Sequence, residues 1–181
     1  LTDPNVTGSS VGGGSVGCLA GFLGAGIVPR CSVENARVRG ESGSAGGLVG
    51  TNRAGEVTHC YSSGLVSGSP VGGLVGRNDG YVLACYSAGT VTGTGASGGL
   101  VGYCLYGKVT RCYSVATVSG TSFVGGLIGK NVEPDVYGGP GAAVTDCYST
   151  GTVRGTGERV GGLIWIEWRR GLWVDCNVLL Q

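Results

Sequence analysis

Apolar residues along the chain fall into short blocks separated by glycine. No helical pattern follows any of these blocks. One block is Gly-Leu-Val, a second is a Val-Thr-x-Cys-Tyr stretch, and a third is Thr-Val-Thr. Within the third block Val91, Val118 and Val153 each stand between small or polar neighbours, as Val66 does apart from Leu65, the period-2 alternation of a half-buried strand. Those valines are expected to face inward. Three short strands to a unit, separated by glycine turns, are what the pattern predicts.

The blocks recur. Gly46-Gly47-Leu48-Val49-Gly50 returns as Gly72-Gly73-Leu74-Val75-Gly76, Gly98-Gly99-Leu100-Val101-Gly102 and Gly125-Gly126-Leu127-Ile128-Gly129. A partial copy follows at Gly161-Gly162-Leu163-Ile164, and a degraded one precedes them at Gly17-Cys18-Leu19-Ala20-Gly21. After each full copy comes Cys-Tyr-Ser, at Cys60, Cys85, Cys112 and Cys147, with Cys31-Ser32 and Cys176-Asn177 in the flanking units. Copies start 26 or 27 residues apart in mid-chain, the length of one solenoid coil. A single coil cannot bury its own apolar face, but coils stacked about 4.8 Å apart join the valines into one core. The expected fold is all-β, a right-handed β-solenoid of about five to six coils, with the hand taken from the preference of parallel crossovers. It fills 1–181 as one domain: an incomplete N-terminal coil at 1–16, repeats over 17–164, and a Trp-rich segment at 165–181.

Composition narrows the function. Forty glycines would suit a disordered chain, but 41% apolar and 13% charged residues do not. The glycine pairs suit corners that need a positive φ or a close backbone approach. A formal charge of +1, with Lys and Arg scattered singly apart from Arg169-Arg170, predicts no nucleic-acid partner. No apolar run reaches the roughly 18 residues of a membrane span, and Leu1-Thr2-Asp3-Pro4 lacks the regions of a signal peptide.

With the repeats laid out, the chain resembles the GLUG-motif family, whose units read Gly-Gly-Leu-x-Gly, an Asn-Gly type turn, Cys-Tyr and Gly-x-Val-x-Gly. Asn52, Asn78 and Asn131 occupy the turn position, Cys104 and Leu23 replace it in two units, and one unit carries an insertion at about 132–143. The resemblance implies secreted or cell-surface bacterial proteins, adhesin-like ones and the non-catalytic regions of immunoglobulin A peptidases among them. It implies no activity.

Cys31, Cys60, Cys85, Cys112, Cys147 and Cys176 fall in one column and are expected to stack as a buried structural ladder of thiols, with disulfides as the rival. Cys18 and Cys104 stand outside it, within reach of Cys31 and Cys112. The lone His59 and the absence of any Cys-x-x-Cys pair argue against a metal site, and no cofactor is expected. Tyr61, Tyr86, Tyr113 and Tyr148 form a second, outward column, either a structural stripe or a surface for sugar rings or a partner.

No catalytic residue is expected: Glu56, Asp79, Asp146 and Glu158 sit in different columns, and Glu133 and Asp135 lie in the insertion. A carbohydrate-acting β-helix enzyme is the alternative, and an ice-binding solenoid another, although Arg37, Arg39 and Leu65 interrupt the threonine columns. Asn5-Val6-Thr7 fits a glycosylation pattern that bacterial origin would leave silent. Trp165, Trp168 and Trp173 gather at one end as a hydrophobic cap or a head-to-tail assembly surface. The expected partners are therefore further copies of the chain, or glycans or proteins of a host or matrix surface.

Overall fold

The computed structural model describes residues 5–7, 10–132 and 142–166, with side chains over 14–132 and 142–164. Every strand pairing is parallel, and no described residue is helical. One coil runs through Val71–Gly72, Val75–Asn78, Tyr81–Leu83, Tyr86–Ser87 and Thr90–Gly93. Each segment pairs with its equivalent in the next coil: Val71 with Ser97, Val75 with Val101, Val82 with Val109, Tyr86 with Tyr113 and Val91 with Val118. The described residues make about four turns, fewer than the sequence suggests, and each coil feeds four sheets rather than three strands. The extra sheet comes from the residues just before Leu, such as Val71–Gly72, which pair although they look like part of a turn.

Stacking turns each motif position into a column. Leu48, Leu74, Leu100 and Leu127 are buried, as are Val57, Val82 and Val109, and the alternating Val66, Val91 and Val118. Burying a Leu or Val is worth about 1.5–3 kcal/mol, so the repeated apolar positions drive the stack.

The paired glycines of the motif act by permitting close approach rather than through φ, whereas Gly26, Gly64 and Gly89 take positive φ. Methyl groups placed on Gly47, Gly73, Gly99 and Gly126 would overlap the carbonyl of the next coil's equivalent glycine and meet Ser62, Ser87, Ser114 and Ser149. The second glycine of the motif therefore packs across the narrow interior against the serine of Cys-Tyr-Ser, so the two halves of the repeat fit each other. Ser87 Oγ donates to the Gly99 carbonyl at 2.6 Å.

The left-handed corners fall elsewhere. The residue before each of the five described column cysteines has positive φ: Arg30 (50°), His59 (56°), Ala84 (51°), Arg111 (53°) and Asp146 (53°). There the chain turns from the Val-Thr sheet into the Tyr sheet, and the backbone hydrogen bonds change direction. Ala84 N–H donates forward to Thr110 O at 3.0 Å, whereas Tyr86 N–H donates back to Cys60 O at 3.1 Å.

The Asn positions are buried rather than exposed turn residues. Asn52 Nδ2 donates to Asn78 Oδ1 at 2.8 Å and to Gly55 O at 3.0 Å, while Gly55 N–H donates back to Asn52 Oδ1 at 2.9 Å. Asn78 Nδ2 likewise donates to Gly80 O at 3.1 Å, but the ladder weakens at Cys104, where its inter-coil acceptor is Sγ, at 3.8 Å. On the far side Asn131 Oδ1 is buried with no hydrogen-bond partner among the described residues. Cys104→Asn supplies an acceptor for Asn78 and a donor for Asn131. It should raise stability by about 1 kcal/mol or more, the worth of a satisfied buried polar group. Thermal unfolding checks this, and a midpoint equal to or below that of the parent would remove the ladder argument.

Candidate functional site

The cysteine column is structural in its chemistry. Cys31 N–H donates to Cys60 Sγ, Cys60 N–H to Cys85 Sγ and Cys85 N–H to Cys112 Sγ, each at 3.3 Å, and Cys112 N–H to Cys147 Sγ at 3.4 Å. Each of these amides sits one residue after the left-handed corner, where the ladder reverses, and the next coil's sulfur satisfies it. The sulfurs in turn donate to carbonyls two residues upstream, as Cys85 Sγ does to Leu83 O at 3.2 Å. Hydrogen bonds from Cys112 and Cys60, and then burial, push the Cys85 thiol well up. Cys60, Cys85 and Cys112 are thiols, 1% exposed, out of reach of any ligand in solution. Cys104 is separate from this column and bonded to no other cysteine; burial pushes its thiol up to about 12. Cys176 lies outside the described residues.

Outward from the same sheet stand the tyrosines. Tyr61, Tyr86, Tyr113 and Tyr148 stack with ring centroids 4.9, 4.9 and 5.0 Å apart and planes within 3° of parallel. At that spacing nothing fits between rings. The faces of Tyr86 and Tyr113 are closed by their neighbours, and the column presents ring edges and hydroxyls. A sugar stacking flat needs an open face, and among the described residues the end rings Tyr61 and Tyr148, the latter 40% exposed, have a ring neighbour on one side only. At the other end the Tyr61 hydroxyl bonds to Glu34 Oε1, which pushes its pKa up to about 12.

Beside the tyrosines the same outer face carries Arg37 and Arg39 on Ser32–Gly40, Leu65 and Ser67 on Tyr61–Gly68, and Thr90 and Thr92 on Thr90–Gly93. Register places Arg37, Leu65 and Thr90 in one column and Arg39, Ser67 and Thr92 in the next. Between them lies an open groove of about 300 Å³, with Val38 and Val66 also lining it. Arg37 and Arg39 make no ion pair or side-chain hydrogen bond among the described residues. Their signal in the sequence is a pair of arginines two apart on a strand, where the other coils have hydroxyls, Leu65 and Arg154.

Several other charges are engaged. Arg77 forms a bidentate pair with Asp79, Nε donating to Oδ1 at 3.1 Å and Nη2 to Oδ2 at 3.0 Å, which raises the guanidinium pKa, and its guanidinium lies over the Tyr103 ring. Lys130 lies over Tyr103 and Phe123, and Lys108 over Tyr81. Glu56 is the one acid lining a second, smaller groove with Tyr81, Leu83, Lys108 and Thr110. Among the described residues no three His, Cys, Asp or Glu side chains gather to hold a metal, and no helix is long and apolar enough to cross a membrane. Glu133, Asp135, Trp168 and Trp173 lie outside the described residues, as do the side chains of Trp165 and Asn5.

Residues 41–67 match the model of the GLUG motif. No protein of curated function matches the chain. Among solved structures, a putative immunoglobulin A1 protease from Bacteroides ovatus is similar, with a TM-score of 0.62 and 17% identity, over 90% of this chain and 66% of that one. At that identity the likeness shows the fold alone, and the chain spans somewhat less than two thirds of the neighbour. The chain thus carries a GLUG motif at residues 41–67, and the register repeats that unit rung upon rung in a fold similar to that of the Bacteroides ovatus protein.

Proposed function

We propose that the chain is an extracellular structural and adhesive module, secreted or held at a bacterial surface, that works through its lateral faces. The observation that carries this reading is the division of labour along each coil. The repeated Gly, Leu, Cys and Asn face inward and serve stacking, while the outward columns beside the recurring tyrosines vary from coil to coil, as Arg39, Ser67, Thr92, Ser119 and Arg154 do. Such a surface can change its ligand without disturbing its core. The likeness to a protein named for an immunoglobulin A1 protease supports the extracellular setting, and the non-catalytic place of this motif supports a role other than cleavage.

A carbohydrate-acting enzyme needs two carboxylates facing one bound sugar. Glu34 is tied to Tyr61, Asp79 to Arg77, and Glu56 stands singly in its groove. An ice-binding face needs a regular flat array, and Arg37 and Leu65 break the column of Thr90 and Thr117.

Head-to-tail assembly is the second reading. Its support is the rung at Ala20–Leu23 and Ile27–Pro29, whose strands have one neighbour each among the described residues and which exposes Phe22 (61%) and Ile27 (65%). Unpaired strands of this kind accept further strands.

Antibodies against the chain should label intact cells of the source organism, and the purified chain should be retained on surfaces coated with matrix glycoproteins. Confinement of the antigen to the cell interior, with no retention, overturns the proposal. Sedimentation of the same preparation over a range of concentrations tests the assembly reading.

A further inference from the structure

We infer that the groove bounded by Arg37 and Arg39 is a binding site for an acidic glycan, a sugar chain bearing carboxylate or sulfate groups. This names the ligand class of the lateral face and rests on the adhesive reading above.

Three features of the groove converge on that chemistry. Arg37 and Arg39 are two apart on one strand, so both project to the same side, roughly 7 Å apart along the backbone. Each presents a planar fork of donors suited to a carboxylate or sulfate. Their own strand offers no competing anion: Glu34 is engaged by the Tyr61 hydroxyl, and Glu41 lies beyond the strand's end at Gly40.

Thr90 and Thr92 add hydroxyls, which both donate and accept, while Ser67, on the rung between, donates its proton to Val38 O at 3.4 Å and keeps its lone pairs for a ligand hydroxyl. Leu65 stands between the charged and the hydroxyl positions and is 50% exposed. An acidic pyranose has the matching parts: a charged substituent, a rim of hydroxyls and a C–H face for Leu65. At about 300 Å³ the groove is at the small end of ligand sites, suited to a short stretch of an extended polymer.

An acidic or phosphorylated peptide fits less well. Peptides laid on sheets gain affinity from main-chain hydrogen bonds to an open strand edge. The three strands here have none to give. Ser32–Gly40 pairs with Asn5–Thr7 and Ser10–Gly13 on one side and with Tyr61–Gly68 on the other, and Thr90–Gly93 pairs on both sides. A glycan needs side-chain donors only.

The test is calorimetric titration of the full chain with three hexasaccharides: a sulfated one derived from heparin, a carboxylate-bearing one derived from hyaluronan, and neutral cellohexaose. At least one acidic probe should bind, more weakly as salt rises, and the neutral one should not. Arg37→Gln with Arg39→Gln should weaken the acidic probe by about tenfold or more, the loss of charge-assisted hydrogen bonds. Arg154→Gln, on the same face but far along the stack, should leave binding unchanged. Both substitutions fall on exposed positions, and unfolding curves matching the parent's establish that the fold is kept.

Binding unaffected by the double substitution, no binding of either acidic probe, or equally tight binding of a single-stranded oligonucleotide of equal charge each overturns the inference. If the chain adheres to matrix surfaces and neither acidic hexasaccharide competes, the inference fails while the adhesive reading stands. If the chain adheres to nothing, the reading itself fails.

Discussion

Gly99→Ala is expected to unfold the chain or to cost at least about 4 kcal/mol, the range reached when a core position is overpacked against atoms that cannot yield. The added methyl would overlap the carbonyl oxygen of Gly126 in the next coil and Oγ of Ser114. Removing the hydroxyl by Ser114→Ala relieves one of the two overlaps, but the Gly126 carbonyl is backbone, fixed between two rungs. The double variant should therefore remain close to the single one in stability. Gly162, the same position in the last copy of the motif, has no atom within 4 Å of an added methyl among the described residues. Gly162→Ala should change stability by no more than about 0.5 kcal/mol. Denaturant unfolding of the variants checks the contrast, and equal stability for Gly99→Ala and Gly162→Ala would show that close approach is not what the glycine serves.

Val91→Asp should be nearly as damaging, while Thr92→Asp one residue later should be tolerated. Val91 is fully buried between Val66 and Val118, so its replacement puts a carboxylate where no donor waits, at a cost of several kcal/mol. Thr92 faces out. The pH dependence follows from the same burial. A buried carboxyl has its folded pKa raised above the unfolded value of about 4, so the folded state binds the proton more tightly. The variant is then least destabilised in acid and loses stability as pH rises through that range. Thermal unfolding between acid and neutral pH measures it; a Val91→Asp midpoint matching that of Thr92→Asp would invalidate the inward assignment. Because Thr92 lines the groove, Thr92→Asp should also weaken an acidic glycan while leaving the fold intact.

Repetition explains what could be read before the fold was seen. Cysteine, tyrosine and valine recur at fixed intervals, so their columns and their facing follow from spacing and alternation alone. The left-handed corner was hidden because its occupants, Arg30, His59, Ala84, Arg111 and Asp146, share no chemistry, and only the register of the rungs imposes their φ. The Asn column is legible in sequence as a turn position, but its burial is not legible at any single residue. Its true signal was the alignment of Asn52, Asn78, Cys104 and Asn131, a column of like residues with one interruption, which is how a buried ladder looks in sequence. The tyrosine stripe was placed on the surface by alternation, but that its rings close one another's faces depends on the inter-coil distance. Arg37 and Arg39 were visible as breaks in the threonine columns, yet a groove exists only once neighbouring strands are in register.

The insertion carries a consequence for how such a protein diversifies. Cys104 and Lys108 are separated by three residues, Asn131 and Ala143 by eleven, yet Cys104 stays opposite Asn131 and Lys108 opposite Ala143. The rung resumes its register whatever length intervenes. Closing a longer loop costs only about 0.6 kcal/mol for each doubling of its length. The strands are under the opposite constraint, since every residue in them must suit the coils above and below. A lineage of these chains is thus nearly frozen to substitution along its rungs and open to insertion and deletion at this corner, so new surfaces can arise there by changes of length while the stack beneath is inherited unaltered.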